Sequence, residues 1–242
     1  MPTVRAMRLL HQIESGTIAN GAALQTLLAA DPVKVADLRA LLASPGTSAR
    51  LCRNPAAVQT LIGAALALPL VLPNVFALEQ IIATPAALTA MTDSGSAMSL
   101  IANNPVALNM LLASNAAMTA VANANAALAA IFGVMTARTA LYDSAQASAI
   151  VLASANARAY MVSIAQTSTV QGTAHQSANT GRTILVQQRS VSSSFLSHAG
   201  ASADTYSTNS TALIDRFVKV SNLTHRAAGS SSYSVVTYLD MD

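Results

Sequence analysis

The side chains able to do chemistry are few and far apart. The four histidines are His11, His175, His198 and His225, and none stands at metal-ligand spacing from another His or a Cys. His175 and His198 lie in Ser-rich stretches and read as solvated; His225 follows Asn222-Leu223-Thr224 and reads as a turn residue. The ten carboxylates are scattered, and only Asp240 and Asp242, at the end of the chain, suggest a calcium or tip-binding pair. A depolymerase needs two carboxylates facing each other across a cleft. No Gly-rich loop follows a strand pattern, and no Gly-x-Ser-x-Gly elbow occurs. Cys52, the single cysteine, falls at an apolar slot and reads as a buried small hydrophobe. Met91, Met98, Met110 and Met118 also fall at regular slots, which favours packing over a cofactor role. The expectation is a non-enzymatic chain with no catalytic residue, no cofactor and no metal.

Composition narrows the class further. Of 242 residues, 52% are hydrophobic, 10% charged and 4% aromatic, so the apolar content is mostly Ala, Leu, Val and Met. Small side chains bury little area each, at roughly 25 cal/mol per Å². Stability must then come from close backbone packing or from partner chains. The net charge of +3 rests almost wholly on dispersed Arg, which argues against a nucleic-acid groove. Met1-Pro2-Thr3-Val4-Arg5 is not followed by an apolar signal core. The longest apolar run, 61–72, is too short for a bilayer and carries Pro69, so no membrane insertion is expected.

The dominant signal is a ten-residue repeat. Its clearest copies open with Asn54-Pro55-Ala56-Ala57-Val58, Thr84-Pro85-Ala86-Ala87-Leu88 and Asn104-Pro105-Val106-Ala107-Leu108. Alanine occupies one column without a gap: Ala57, Ala67, Ala77, Ala87, Ala97, Ala107, Ala117, Ala127, Ala137, Ala147 and Ala157. These are the expected stacking contacts, a methyl-sized slot that lets helices approach closely. The next column is large and apolar from Val58 to Leu128, then turns to Arg138, Ser148 and Arg158.

Each copy reads as a short helix. Asn54, Asn74, Thr84, Ser94, Asn104, Ser114, Ser144 and Ser154 stand where an N-cap belongs. Pro55, Pro85 and Pro105 follow at the first helical position. Apolar residues then recur three and four apart, as in Leu108, Leu111 and Leu112. Two turns of isolated helix are unstable in water, so each copy must stack on its neighbours. Repeated Pro and a period of ten argue against one continuous helix or coiled coil.

The expected fold is mainly α with a small β region: a solenoid of ten-residue helical repeats followed by a C-terminal antiparallel β module. Residues 1–43 read as an irregular helical cap or docking segment, 44–165 as the repeat array, 166–182 as a Ser/Thr-rich connector and 183–242 as the β module. Copies 64–73 and 134–163 depart from the pattern. Strands are predicted over 183–188, 216–221 and 232–239. Phe195, Tyr206, Phe217, Tyr233 and Tyr238 gather most of the aromatics there, as expected for a contact-making head. Sixty residues are marginal alone, and a trimer would bury the exposed faces. Between Asn54 and Thr136 the only charges are Glu79 and Asp93, which suggests that sister chains or other proteins cover part of the outer face.

The phrases Ala116-Ala117-Met118-Thr119-Ala120-Val121-Ala122 and Ser96-Ala97-Met98-Ser99-Leu100-Ile101-Ala102 resemble a decapeptide repeat of tailed-bacteriophage virion proteins, over roughly residues 20–162. The resemblance implies a structural tail- or collar-fibre component, a homotrimer, located in the virion at the tail, baseplate or collar and assembled in the host cytoplasm. It implies other virion structural proteins as partners, with attachment to a host surface receptor as a further role, and it brings no catalytic residues. The alternatives are a receptor-binding module for surface glycan or protein, and a capsid or neck decoration protein.

Overall fold

The computed structural model describes residues 2–190, 197–200, 206–227 and 229–242. It is mainly helical with a smaller β region, and it divides into two compact units, Met1–Ala137 and Arg138–Asp242.

The first unit opens with four helices, α1 (Val4–Glu14), α2 (Gly21–Ala30), α3 (Pro32–Ala43) and α4 (Pro45–Arg53). The ten-residue rhythm then writes α5 (Pro55–Ile62), α6 (Leu68–Val71), α7 (Val75–Ala83), α8 (Pro85–Thr92), α9 (Gly95–Ala102), α10 (Pro105–Leu112), α11 (Asn115–Asn123) and α12 (Asn125–Gly133). α13 (Met135–Asp143) spans the division between the units. The helices are short because every tenth residue or so is a new N-cap with extended backbone, such as Asn104 with φ −115° and ψ 106°. Axes turn sharply at these corners, by 109° from α7 to α8 and 97° from α10 to α11. No single helix among the described residues is long and apolar enough to cross a membrane.

Stacking follows a rule that the decapeptide does not announce. Several helices pack most heavily on the third one along, α4 on α7, α5 on α8 and α9 on α12, and α8 with α11 and α7 with α10 stand in the same relation. Three corners return the chain to the same side, so one turn of the solenoid holds three copies. The expectation of stacking between successive copies is corrected accordingly: successive helices meet at corners, and third neighbours lie side by side. The core is written by the repeat, with Ala107, Leu108 and Leu111 of α10 buried as are Ala77, Leu78 and Ile81 of α7.

The irregular start obeys the spacing only in part, since α1 packs mainly on α3. α2 packs on α5, and the two approach so closely that a Cβ on Gly21 would stand 2.3 Å from the carbonyl carbon of Gly63. Only glycine fits. Asp37 of α3, nearly buried, receives Arg5 of α1 through two bonds of 2.6 and 3.2 Å. The copy 64–73, which departs from the pattern in sequence, holds only the four-residue α6. Pro69 and Pro73 shorten it.

The second unit joins α14 (Ala145–Ala153) and α15 (Ala155–Ile164) to a six-stranded sheet: β1 (Gln166–Gln171), β2 (Gln176–Ser190), β3 (Ser197–Ala199), β4 (Tyr206–Thr208), β5 (Ile214–Ala227) and β6 (Tyr233–Asp240). The order is β1-β6-β2-β5-β3-β4, and every pairing is antiparallel.

Several expectations change here. Residues 166–182 are not a connector: β1 and the first half of β2 occupy them. Polar composition misled because β1 lies at the sheet edge, where Gln166, Thr167, Thr169 and Gln171 are exposed and only Val170 is fully buried. β5 does not stop at 221 but continues to Ala227. Copies 134–163 keep regular helices despite their decayed sequence. Finally, the central strands are covered within the chain. Thr183, Ile184, Leu185 and Val186 are consecutive and all buried, so both faces of β2 are shielded. One face meets helices of the same unit, and the sheet's curl brings β1 near β5 and closes on the other. A core of Leu185, Val220, Leu223, Val236 and Tyr238 fills that interior. Of the five aromatics expected in a contact-making head, Phe217 and Tyr238 are buried, Tyr206 is half-buried and Tyr233 is exposed, while Phe195 lies outside the described residues.

Candidate functional site

The eleven alanines of the column, Ala57 through Ala157, are all at most 1% exposed. Their placement is local. In most copies the cap residue's side chain accepts the backbone N–H of the alanine three residues on. Asn104 Oδ1 accepts from Ala107 at 3.2 Å, Ser114 Oγ from Ala117 at 3.2 Å and Asn74 Oδ1 from Ala77 at 3.1 Å. The cap thus ties down the backbone of the buried alanine. Thr84 is a correction: it holds the cap position, with Pro85 after it, but its side chain makes no cap bond.

The column beside it explains where the pattern decays. From Val58 to Leu128 this slot fills the solenoid core. At Arg138, Ser148 and Arg158 the same slot belongs to the second unit and serves the sheet. Arg138 donates to the Asp242 backbone oxygen at 3.2 Å, and Lys219 reaches the Tyr142 carbonyl and, at 3.4 Å, the Ser148 hydroxyl. The Arg158 guanidinium lies 5.0 Å from the centre of the Phe217 ring, and Phe217 holds a left-handed φ of 46°. The loss of apolar character is a change of packing partner.

Arg182 gathers the remaining charge. It bonds Asp143 at 2.8 and 3.0 Å and the Asp242 side chain at 2.9 Å. The Arg182 side chain, and then its backbone N–H, hold the Asp242 carboxyl below its ordinary range. Asp240 accepts from Asn179 at 3.2 Å and from the backbone of Asp242. The terminal acids therefore have partners within the protein, and no group of three potential metal ligands occurs among the described residues.

His225 is the site that the sequence misplaced. It is not in a turn but on β5, fully buried. Its Nε2 lies 3.0 Å from Ser168 Oγ on β1, and its Nδ1 lies 3.2 Å from Ser234 Oγ on β6. The expected strand end at 221 hid it. Burial pushes its pKa down to about 4, so the ring is neutral near pH 7. A hydroxyl beside a neutral imidazole is the start of a nucleophile and base. Here, though, neither partner is a carboxylate, and both hydroxyls satisfy a ring that would otherwise be an unpaired polar group in the interior. The cluster ties three strands together.

Cys52 is buried on α4, and burial raises its thiol pKa to about 11, which keeps it protonated. The first unit holds an open groove of about 800 Å³ between the α7–α8 and α10–α11 corners, with Ile82, Leu88 and Met110 on its walls.

No protein-family model matches the chain, and no curated protein is similar to it.

Proposed function

We propose that the chain is a structural, non-enzymatic component of a tailed-phage virion, part of a tail or collar fibre that works by assembling with copies of itself and with other virion proteins. One observation carries the scaffold reading: the outer surface of the repeat unit is almost free of charge and displays large apolar side chains. Phe76 is 51% exposed, Val106 57% and Met135 61%, in a stretch whose only charges are Glu79 and Asp93. A monomer in water gains nothing from such a surface, whereas a subunit covered by partners does. The virion assignment is supported by the resemblance of the repeat phrases. The buried, mutually satisfied arrangement of His225, Ser168 and Ser234 favours a structural role over catalysis.

Antibody labelling of purified particles, imaged by electron microscopy, tests the proposal. Label on the tail, baseplate or collar is expected. Label on the capsid shell would replace the fibre with a decoration protein, and particles lacking the chain would overturn the virion role.

A further inference from the structure

The turn between α1 and α2 and the facing side of α5 border a cleft of about 390 Å³, wholly within the first unit. Its volume falls at the lower end of small-molecule sites, roughly 300–1,000 Å³. Ile13 and Ile18 give it an apolar wall. Gly16, with a φ of 73°, reverses the chain at its rim, a conformation that favours glycine.

One lining hydroxyl breaks a habit of this chain. Thr26, Thr89 and Thr119 each fold back on their own helix and donate to the carbonyl four residues earlier, at 3.0, 3.1 and 2.8 Å. Thr60 of α5 has the same opportunity and does not take it. It is only 6% exposed, and among the described residues its hydroxyl has no hydrogen-bond partner. A buried hydroxyl left unpaired is costly. Thr60 lines the cleft, so whatever completes it comes from there: water in the free protein, a ligand's polar atom in a complex. Gln59, next to it on the wall, also makes no side-chain bond. Asn20 uses its Oδ1 to cap Ala23 at 3.0 Å and keeps its N–H donors. Glu14 is met by Arg50 at 3.0 and 2.6 Å, so its charge is balanced while its oxygens can accept further bonds.

We propose that this cleft binds a small neutral polyol, of the size of one sugar unit. The lining selects that class. An anion would face the Glu14 carboxylate with no basic side chain on the walls. A cation would have to displace Arg50 from Glu14. A purely apolar ligand would leave the Thr60 hydroxyl unpaired against it. A polyol avoids all three: each of its hydroxyls both donates and accepts, as do Thr60 and Gln59, and its C–H face lies against Ile13 and Ile18. The site belongs to the helical unit and does not depend on the fibre reading; a chain absent from phage particles would leave it standing.

Saturation-transfer NMR on the full chain tests the proposal, with methyl glucoside, methyl galactoside and N-acetylglucosamine as probes and acetate and propylammonium as charged comparisons. Transfer to at least one sugar and to neither ion is expected, with a dissociation constant on the order of a millimolar. Thr60→Val keeps the side chain's shape and removes its hydroxyl. Its melting temperature should not fall, because no bond within the chain is lost, and sugar binding should weaken roughly three- to tenfold. Ala56→Phe, at an exposed position on the cleft wall, should fill the space and abolish transfer. Circular dichroism checks folding, and Thr60→Val decides alone if the bulkier variant does not fold. No transfer to any sugar from wild type, equal transfer to the ions, or sugar binding unchanged in Thr60→Val would overturn the site. A lower melting temperature for Thr60→Val would also overturn it, by showing that the hydroxyl has a partner inside the protein.

Discussion

Asn104 Oδ1 accepts the backbone N–H of Ala107 at 3.2 Å, and Ala107 is buried. Cap bond and buried alanine therefore recur together along the chain. Asn104→Ala removes the acceptor for the amides of both Val106 and Ala107. The expected cost is about 1 kcal/mol, read as a lower urea midpoint with an unchanged slope.

Ala107→Phe addresses the stack itself. The site is 1% exposed and faces packed neighbours, so a ring has nowhere to go. The expected loss is roughly 1–3 kcal/mol from overpacking. A melting temperature equal to wild type would show that the alanine column is not a close contact.

Gly21→Ala should be costly for a different reason. The added methyl would lie 2.3 Å from the Gly63 backbone, and backbone cannot swing aside as a side chain does. A loss of at least about 1 kcal/mol is expected. Gly46→Ala is the control: nothing lies within 4 Å of its Cβ position, and it sits inside α4. There the change should be neutral or stabilising by up to about 1 kcal/mol. Equal effects at the two sites would contradict the close approach of α2 and α5.

His225 makes the second unit sensitive to mild acid. Its pKa is lowered from 6.5 to about 4 on folding, so between these values the unfolded chain binds the extra proton. The stabilising contribution is complete above pH 6.5 and declines as pH falls toward 4, by at most about 1.4 kcal/mol per unit. Asp242, whose pKa is also lowered, acts in a separate window: its contribution is present above the ordinary carboxylate range and fades below it. Denaturation curves from pH 7 to 4.5 should therefore show a slope that His225→Gln flattens. A variant with the wild-type slope would remove His225 from the account.

The decapeptide, its caps and its apolar columns were legible because they are local: Asn-Pro at a helix start and an Ala three residues after the cap are written in adjacent residues. The three-copy turn was not, because a period of ten states how long each side is and says nothing of how many sides close a turn. The decay at Arg138, Ser148 and Arg158 read as lost regularity, whereas these residues keep the helical register and face a sheet from distant sequence. The strands of 166–182 were hidden by Ser, Thr and Gln at a half-exposed edge, where β-propensity carries little apolar signal. The Ser168–His225–Ser234 cluster includes a bond between residues 57 positions apart and needs the strand order to be known.

The third-neighbour stack is the claim on which the rest stands, and a distance between spin labels tests it most directly. Glu79 and Asn109 occupy the same exposed slot of α7 and α10. With Cys52 buried and protonated, Glu79→Cys and Asn109→Cys supply the labelling sites. Helices one solenoid turn apart place the labelled backbones one interaxial spacing apart, about 10 Å, giving strong line broadening. A separation near three spacings, about 30 Å, would mean that successive helices stack in a row and would contradict the three-sided solenoid.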